Sequence, residues 1–477
     1  MIEISPTRTM SSSSDSNRAV PSPDAQRAAR LLLRIENVPF SRWHTKARVV
    51  MGSATFFDAF DALSLAFVLP VLVGLWQLSH AQVGALIAAG YIGQVVGALL
   101  FGWLGERIGR VPSISAAVAV MSLMSIACAF AGSYELLFAL RFLQGIGVGG
   151  EVPVAATYIN ELSQSKGRGR FFVLYELIFP LGLMAAAQLG TYIVPRFGWE
   201  MLFLVGGLPG LVILAFMVRL PESPRWLTGK RRFDEAERVI AGLEASTPKR
   251  QMDAAQLAAR ESSLVAGLAT PRASGSWKEL FSPLYRPRTL VVWLLWASSY
   301  FVANGINNWL PTLYKTYYQL PLQEALRLAS LTNVLSVVAV LCCALLVDRI
   351  GRRRWATASF IISGVLLAVL AATGAKSVWA VVALASTAYA VMGTTTVLLY
   401  LYTPEIYPTR IRAIGTGLAT SWLRAASAAA PALVGVVLSA QGVASVFLMF
   451  AATTVIGLLA ARRMTETTDK ALEEISP

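Results

Sequence analysis

The stretch Gly105–Arg110, Gly-Glu-Arg-Ile-Gly-Arg, recurs in the second half of the chain as Val347–Arg352, Val-Asp-Arg-Ile-Gly-Arg. A second segment, Glu161–Arg168, recurs as Glu405–Arg412 with the same spacing between its acid and its arginine. Nearly the same number of residues separates the members of each pair, so two chance matches in register are improbable. The sequence therefore predicts a chain built from two homologous halves.

Long uncharged stretches surround these repeats. The 477 residues are 55% hydrophobic and 14% charged, whereas soluble proteins average about 25% charged residues. Residues 114–134 and 355–375 carry no charge, and a helix needs about 20 apolar residues to cross a bilayer. Because backbone groups in lipid must bond within their own segment, the spans are expected to be helical. We predict an all-α membrane protein whose twelve transmembrane helices form two pseudo-symmetric six-helix bundles. The predicted spans are 49–76, 82–104, 112–132, 135–159, 171–194, 200–219, 289–313, 324–347, 355–374, 377–402, 413–438 and 442–461.

Basic residues alternate between the predicted loops. Most follow spans two, four, eight and ten, whereas the opposite loops and adjacent span ends hold only Arg196, Lys315, Arg327 and Lys376. The basic side of a membrane protein is cytoplasmic, which predicts a multi-pass protein of a bacterial inner membrane with both termini in the cytoplasm. Such loops explain the net charge of +14 without a nucleic-acid partner. The predicted parts are a tail at 1–46, a bundle at 47–220, a linker at 221–287, a bundle at 288–462 and a tail at 463–477.

The segments outside the spans differ in pattern. The first 40 residues are polar, rich in serine and without the apolar core of a signal peptide, so we expect a disordered tail. In the linker, Phe233–Glu244 repeats apolar residues at helical spacing, which predicts a short amphipathic helix. Cys128, Cys342 and Cys343 lie inside apolar runs, so no disulfide framework is expected.

The repeated loops predict a cytoplasmic gate. Each glycine permits a tight turn between two spans, and the flanking acids and arginines can pair with neighbouring helix ends when that side closes. The alternative is that these residues only set the topology. The candidate gating residues are Glu106, Arg107, Arg110, Glu161, Arg168, Asp348, Arg349, Arg352, Glu405 and Arg412.

Several motifs resemble the sugar-porter branch of the major facilitator superfamily. They are both gate loops, Arg141–Gly149 (Arg-Phe-Leu-Gln-Gly-Ile-Gly-Val-Gly) and Pro221–Leu227 (Pro-Glu-Ser-Pro-Arg-Trp-Leu). The likeness covers nearly all of residues 47–462 and implies the twelve-helix transporter fold. Sugar porters carry a pair of glutamines just before a Gly-Ile-Asn in their seventh span. This chain keeps Gly305–Asn307 but reads Tyr300–Asn304 before it, which counts against a sugar.

The first span is similar to a different branch. Asp58-Ala59-Phe60-Asp61 resembles the Asp-Gly-aromatic-Asp motif of aromatic acid:proton symporters, with alanine in the glycine position. Together with residues 38–44, this span looks most like the bacterial niacin transporters, a group related to synaptic vesicle glycoprotein 2 and to the organic ion transporters. The resemblance implies proton-coupled transport of a small aromatic carboxylate.

Ionisable residues inside a span are costly in lipid and are therefore functional candidates. Asp58 and Asp61 share one helix face, and two close carboxylates in a low dielectric cannot both ionise cheaply. Arg141 resembles the fourth-span arginine that pairs with a first-span acid in proton-coupled sugar porters, which makes Asp61 its expected partner. Glu151 lies on the face of Arg141 and is either a second proton site or a partner of that arginine. Glu176 suits a structural or a gating role equally.

We predict that Asp58, Asp61, Arg141 and Glu151 couple transport to protons. The alternative is a structural ion pair with no proton traffic, because structural pairs also perturb buried ionisable groups.

Arg424 lies about 16 Å into the eleventh span, at about 1.5 Å per residue. Arginine stays charged, and its own span contains no acid. A bidentate substrate carboxylate would neutralise it, and organic anion transporters have an arginine in this span that resembles Arg424. The alternative is pairing with an acid on another span, such as Asp58 or Glu151. Aromatic rings with polar tips suit a planar acid, so the candidate substrate-binding residues are Arg424, Tyr300, Asn304, Asn307, Tyr400 and Thr420.

These patterns predict a monomeric, proton-coupled symporter of a small aromatic carboxylate that works by alternating access, with nicotinate (niacin) as the best single candidate. The alternatives are a sugar or other organic-ion porter of the same superfamily, and a non-transporting membrane receptor or sensor. Intact gate loops in both halves favour transport. With only two histidines, no nucleotide-binding loop and no metal-ligand cluster in the sequence, we expect neither catalysis nor a cofactor, only the proton as coupling ion.

Overall fold

The computed structural model describes residues 23–38, 42–162, 177–246 and 277–467, and within them the predicted all-α architecture is confirmed. The first bundle consists of α2 (Arg42–Trp76), α3 (His80–Arg107), α4 (Arg110–Cys128), α5 (Tyr134–Leu162), α6 (Ile178–Phe197) and α7 (Glu200–Met217). The second consists of α10 (Arg286–Thr316), α11 (Leu322–Ile350), α12 (Arg352–Ala372), α13 (Val378–Glu405), α14 (Thr409–Gln441) and α15 (Val443–Arg462). The remaining helices are α1 (Pro23–Asn37), α8 (Pro224–Gly229), α9 (Phe233–Ala245) and a short 3-10 turn at Trp277–Phe281.

Eleven of the described helices are long and apolar enough to cross a membrane, and α5 is the long helix outside that set. It carries Arg141, Gln144 and Glu151 in its middle, and all three are buried. Its glycines let it press against α3, since a Cβ on Gly145 would lie 2.1 Å from the carbonyl oxygen of Gly90. The charged and polar side chains in the middle of α5 therefore face the interior of the bundle rather than lipid.

The repeated loops form tight turns of the same shape in both halves. Gly109 joins α3 to α4 with a φ of 116°, and Gly351 joins α11 to α12 with a φ of 95°. Side chains on L-residues disfavour this region of backbone space, so glycine is required at both places. We call this end of the two bundles, where both turns lie, the basic end.

The two bundles touch at the other end, which we call the closed end. A Cβ on Gly84 of α3 would lie 2.6 Å from the Pro431 carbonyl oxygen of α14, and one on Gly435 would lie 2.4 Å from the His80 carbonyl oxygen. The Thr191 hydroxyl of α6 donates to the Leu326 carbonyl of α11 at 3.1 Å. These helices can approach so closely because glycine lacks a side chain, and they block the cavity from that end.

The expectation of a disordered N-terminal tail was wrong for residues 23–37, which form α1. Its apolar face packs into a cluster with α8 and α9, in which Leu31 and Ile35 contact Trp226 and Ile240. The polar average of this segment concealed an apolar stripe at helical spacing. The predicted helix in the linker is confirmed as α9.

Charge also joins α1 to the linker. Arg27 Nη2 lies 2.5 Å from Asp234 Oδ1, and Arg34 Nη2 lies 2.8 Å from Glu244 Oε2. Both acids belong to α9, so the basic face of α1 complements an acidic face of the linker helix.

Candidate functional site

A central cavity of about 150 Å³ lies between the two bundles. One water molecule needs roughly 10–15 Å³ on the same measure, so the cavity has room for a small organic molecule. The first bundle lines it with Asp58, Tyr91, Gln94 and Phe179, among others. The polar and aromatic residues that the second bundle contributes are Tyr300, Asn304, Asn307, Asn308, Ser336, Tyr389, Thr396, Tyr400, Arg424 and Ser427.

Five of the six predicted substrate-binding residues line the central cavity, and Thr420 does not. Thr420 lies one helical turn before Arg424, and its hydroxyl donates to the Gly417 carbonyl at 3.0 Å. The helical spacing of Thr420 and Arg424 placed them on the same side of α14, but the cavity meets that side only nearer to Arg424.

An aromatic wall closes one side of the cavity. The Trp296 ring stacks on Tyr300 at 5.6 Å with an interplanar angle of 16°, and it meets the Tyr400 ring edge-on at 4.7 Å. Its indole Nε1 donates to the Thr403 hydroxyl at 2.9 Å. The fully buried Trp296 thus fixes two tyrosines whose polar tips reach the cavity.

Arg424 is the cation of the cavity. Its Nε has no hydrogen-bond partner among the described residues. The groups that act on its charge are the hydroxyls of Tyr400 and Tyr300 and the carboxylate of Asp58. Within the described chain no carboxylate forms a salt bridge with it, so the guanidinium presents unused donors to the cavity.

Side-chain amides occupy the same region. Asn304 Nδ2 donates to the Ser427 hydroxyl at 2.6 Å, which links α10 to α14 next to Arg424. Asn308 Nδ2 donates to the Tyr91 hydroxyl at 3.2 Å, which crosses from one bundle to the other. Asn307 accepts a 3.1 Å hydrogen bond from Asn333. The amides are therefore oriented before any ligand arrives.

Asp61 lies in a separate and tightly bonded pocket, with 2% of its surface exposed. The Ser125 hydroxyl donates to its Oδ1 at 2.8 Å, and the Gln144 amide donates to its Oδ2. Arg141 reaches Asp61 indirectly: its Nη1 donates to the Gln144 Oε1 at 2.6 Å and to the Asp61 backbone carbonyl at 3.4 Å. The structure thus brings the expected pair together through Gln144, which the sequence did not identify.

Asp58 and Glu151 form the second acidic position. Glu151 is fully buried and accepts a 3.0 Å hydrogen bond from Thr55. Asp58 is 3% exposed, lines the cavity, and has an Oδ1 without a hydrogen-bond partner in the described chain. The charges that act on it come from Glu151, Asp61 and Arg424. Asp58 therefore stands between the other acids and the cation of the opposite bundle.

Some of the gating candidates form ion pairs at the basic end of each bundle. In the first bundle, Arg110 pairs with Glu106 at 2.8 Å and with Glu161 at 3.0 Å. The Arg107 guanidinium lies over the Trp103 ring at 4.2 Å instead of joining those ion pairs.

The second bundle carries a looser version of the same pairing. Arg352 lies 3.9 Å from Glu405, and Arg412 Nε donates to the Tyr407 carbonyl at 3.2 Å. Arg349 is exposed. Arg168 and Glu176 lie outside the described residues, as does the side chain of Asp348.

Two further acids accompany these ion pairs. Glu222 accepts backbone N–H bonds from Arg110 and Val111 at 3.0 and 3.2 Å, and Glu466 accepts them from Arg352 and Arg353 at 2.9 and 3.1 Å. A carboxylate at the amino end of a helix satisfies donors that the helix leaves unpaired. Burial raises the pKa of the Glu222 carboxyl, and its hydrogen bonds from backbone N–H groups oppose that shift.

The chain has relatives of described function. The family described as sugar (and other) transporter matches residues 19–477. The niacin transporter NiaP of Acinetobacter baylyi is 33% identical over 427 residues, which cover 88% of this chain and 93% of the relative. A gallate transporter of Pseudomonas putida is 29% identical over 390 residues, covering 82% and 83%.

The fold also matches solved structures. The proton:xylose symporter XylE superposes with a TM-score of 0.71 over 91% of this chain and 98% of that one, at 19% sequence identity. At that identity the likeness concerns the fold alone. By its match to the family and its identity with the niacin transporter, the chain belongs to the sugar (and other) transporter family, and it is a transporter rather than an enzyme.

Proposed function

We propose that this transporter is a proton-coupled symporter of a small aromatic carboxylate, with nicotinate as the first substrate to test. The observation that carries the proposal is Arg424, a permanent cation with unused donors in a cavity between two bundles. A substrate carboxylate would supply the anion that such a group requires at that depth.

The aromatic wall suits a flat ring. Tyr300 and Tyr400 hold fixed orientations against Trp296 and flank Arg424, so a ring lying on them would direct its carboxylate to the guanidinium. Asn304, held by Ser427, offers amide groups to a second polar atom of the substrate. Nicotinate has both a carboxylate and a ring nitrogen, which is why it comes first.

The balance of buried charge supports proton coupling. The three acids Asp58, Asp61 and Glu151 outnumber the two arginines Arg141 and Arg424 by one. Entry of a carboxylate substrate raises the excess to two negative charges in a low dielectric, where uncompensated charge is costly. Each proton taken up removes one of them, so anion binding and proton binding favour each other.

The relatives point to the same class of substrate. Niacin and gallate, named for two of them, are both aromatic carboxylates. A sugar is the second candidate, because the amides of Asn304, Asn307 and Asn308 can bond hydroxyl groups. Arg424 distinguishes the two, since a neutral sugar leaves its charge without a partner.

The proposed setting is a bacterial inner membrane with the basic end in the cytoplasm. The basic loops support that orientation. The closed end would then face outward, and the described conformation would be inward-facing, with contacts from Gly84 to Pro431 and from Thr191 to Leu326 forming the outer barrier. Substrate uptake would require these contacts to separate.

The proposal is tested with the full chain reconstituted in liposomes and given labelled nicotinate. Uptake should accelerate when the outside is made acidic, and it should reach a level above equilibrium. Unlabelled nicotinate should compete strongly, nicotinamide weakly and xylose not at all. Competition by xylose alone would establish the sugar candidate, and uptake indifferent to the proton gradient would refute the coupling.

A further inference from the structure

A second concave surface lies at the basic end of the second bundle, between α11, α12 and α15. It has a volume of about 740 Å³, and its lining includes Arg349, Arg353, Arg354 and Arg462. We propose that this arginine surface binds the phosphate-bearing headgroup of an anionic phospholipid. The inference concerns a different site from the central cavity and does not depend on the transported substrate.

The arginine surface carries an excess of positive charge among the described residues. The four arginines are exposed, and none forms a salt bridge with an acid of the described chain. The acid in the lining, Glu466, directs its carboxylate to the backbone N–H groups of Arg352 and Arg353. An anionic ligand would therefore find four guanidinium groups, which bind phosphate oxygens in a bidentate manner.

Three of the four arginines stand at the end of an apolar face that points out of the bundle. On α11, Leu345 is 78% exposed one turn before Arg349, and on α15, Leu459 is 58% exposed one turn before Arg462. On α12, Ile361 is 41% exposed two turns after Arg354, and it lines the same surface.

In a membrane protein these apolar faces meet lipid tails. The arginines above them then lie at the depth of the headgroups. The surface thus has the polarity of a phospholipid, charged at one end and apolar at the other, and basic pockets between helices on the cytoplasmic side are suited to anionic headgroups. Because the arginines adjoin exposed apolar faces, we favour a phospholipid over free phosphate as the ligand.

The first bundle shows that the turn itself does not need so many arginines. In the internal repeat, Arg353 and Arg354 correspond to Val111 and Pro112. Arg349 corresponds to Arg107, whose guanidinium lies over the Trp103 ring. Both turns have the same glycine geometry, so the two additional arginines serve something other than the turn.

The test uses the purified full chain in detergent, titrated with phosphatidylglycerol and observed by native mass spectrometry. The double variant Arg353→Gln/Arg354→Gln should bind this lipid about thirtyfold more weakly, and each single variant about fivefold more weakly. The matched control is Arg107→Gln/Arg219→Gln, which removes two exposed arginines from the basic end of the first bundle and should leave lipid binding nearly unchanged. Equal thermal stability of both double variants without lipid shows that they are folded. If the Arg353→Gln/Arg354→Gln variant is destabilised, the two single variants replace it in the lipid titration.

Three outcomes would overturn the proposal. An equal loss of affinity for phosphatidylglycerol in both double variants would mean that net charge alone attracts the lipid. Displacement of phosphatidylglycerol by an equal concentration of glycerol phosphate would identify a site for a free anion. Much stronger lipid binding after deletion of residues 468–477, which include Asp469, Glu473 and Glu474, would identify the chain's own acidic tail as the occupant.

Discussion

The two bundles share one fold but contribute opposite charges to the central cavity. The first supplies Asp58, backed by Asp61 and Glu151, whereas the second supplies Arg424 and, among the described residues that line the cavity, no acid. Groups that need each other's charge therefore lie on opposite sides of the interface that must move during transport. This division explains how a change in charge on one bundle can alter the position of the other.

In the proposed function, Arg424 is the group for which Asp58 and the substrate carboxylate compete. Asp58 acts on the charge of Arg424 across the interface between the bundles. A bound carboxylate would take over that role and leave Asp58 to be neutralised by a proton. The comparison of charges between the bundles thus predicts which substitutions uncouple substrate transport from protons and which only weaken substrate binding.

The largest effect is expected from Asp61→Asn, which removes the ionisable carboxyl but keeps one side-chain oxygen that can accept the hydrogen bond from Ser125. Accumulation of substrate against its gradient should disappear because the amide carries no titratable proton, while exchange between equilibrated compartments should continue. Concentrative uptake and counterflow in proteoliposomes measure the two activities. Glu324→Gln, at an exposed acid near the start of α11, is the control. Normal accumulation by the Asp61 variant, with unaltered pH dependence, would remove Asp61 from the coupling site.

The next effect is expected from Arg424→Ala. Losing one member of a buried charge pair costs about 2 kcal/mol or more, so affinity for the carboxylate should fall at least about thirtyfold. The uncharged amide analogue should lose much less, and Arg424→Lys should restore only part of the loss because an ammonium cannot make a two-pronged contact. Binding of both compounds is measured by calorimetry.

Thr420→Ala is the matched control for Arg424, one turn away on α14 and outside the lining of the central cavity. It should leave both affinities nearly unchanged. Two results would show that α14 acts structurally and not through the charge of Arg424. One is a large loss of affinity in Thr420→Ala, and the other is an equal loss of affinity for the acid and for the amide in Arg424→Ala.

A smaller effect is expected from Gly84→Val at the closed end. The new Cβ would lie 2.6 Å from a backbone oxygen of Pro431, so α3 and α14 must separate. Overpacking of this kind costs about 1–3 kcal/mol. It should therefore raise roughly tenfold the rate at which an impermeant reagent, added at the closed end, labels a Ser336→Cys probe in the central cavity. Gly102→Val on the same helix has open space around it and serves as the control. An unchanged labelling rate would mean that this contact does not hold the end closed.

The smallest effect is expected from Trp296→Phe. It removes the 2.9 Å hydrogen bond to Thr403 while retaining an aromatic ring between Tyr300 and Tyr400. A net loss of about 1 kcal/mol, or roughly a fivefold weaker affinity, is the expectation for one such bond. Thr403→Val should produce the same loss without adding to it in the double variant. Additive losses would show that the tryptophan acts independently of Thr403.

Hydropathy and the repeated loops were sufficient to predict the bundles. They depend on composition over about 20 residues, which burial in lipid dictates directly. The placement of Asp58 and Arg424 in one cavity was also predictable from the sequence, because charged residues in a span have few acceptable environments. Thr420 shows the limit: helical spacing gives the side of α14 on which a residue lies but not the depth at which the neighbouring helices leave a space.

The partners of buried groups were harder to anticipate. Gln144 joins Arg141 to Asp61, and Glu222 and Glu466 cap the helices that follow the repeated turns. Gln144 contacts Asp61 on another helix, and Glu222 and Glu466 lie in loops that are distant in sequence from the helices they cap, so no local pattern encodes these contacts. α1 was missed for another reason, since its apolar stripe stabilises a helix only when α8 and α9 are there to cover it.

That dependence has a consequence for how the chain is made. Arg27 and its partner Asp234 are 207 residues apart, and ribosomes add roughly 5–20 residues per second. The finished α1 therefore waits on the order of 10–40 s before the helix that covers Leu31 and Ile35 has been synthesised. During that interval six membrane helices are inserted, and an amphipathic segment with arginines on its polar face is suited to rest on the bilayer surface. The order of synthesis thus leaves the apolar face of α1 without its linker partner until the whole first bundle has been made.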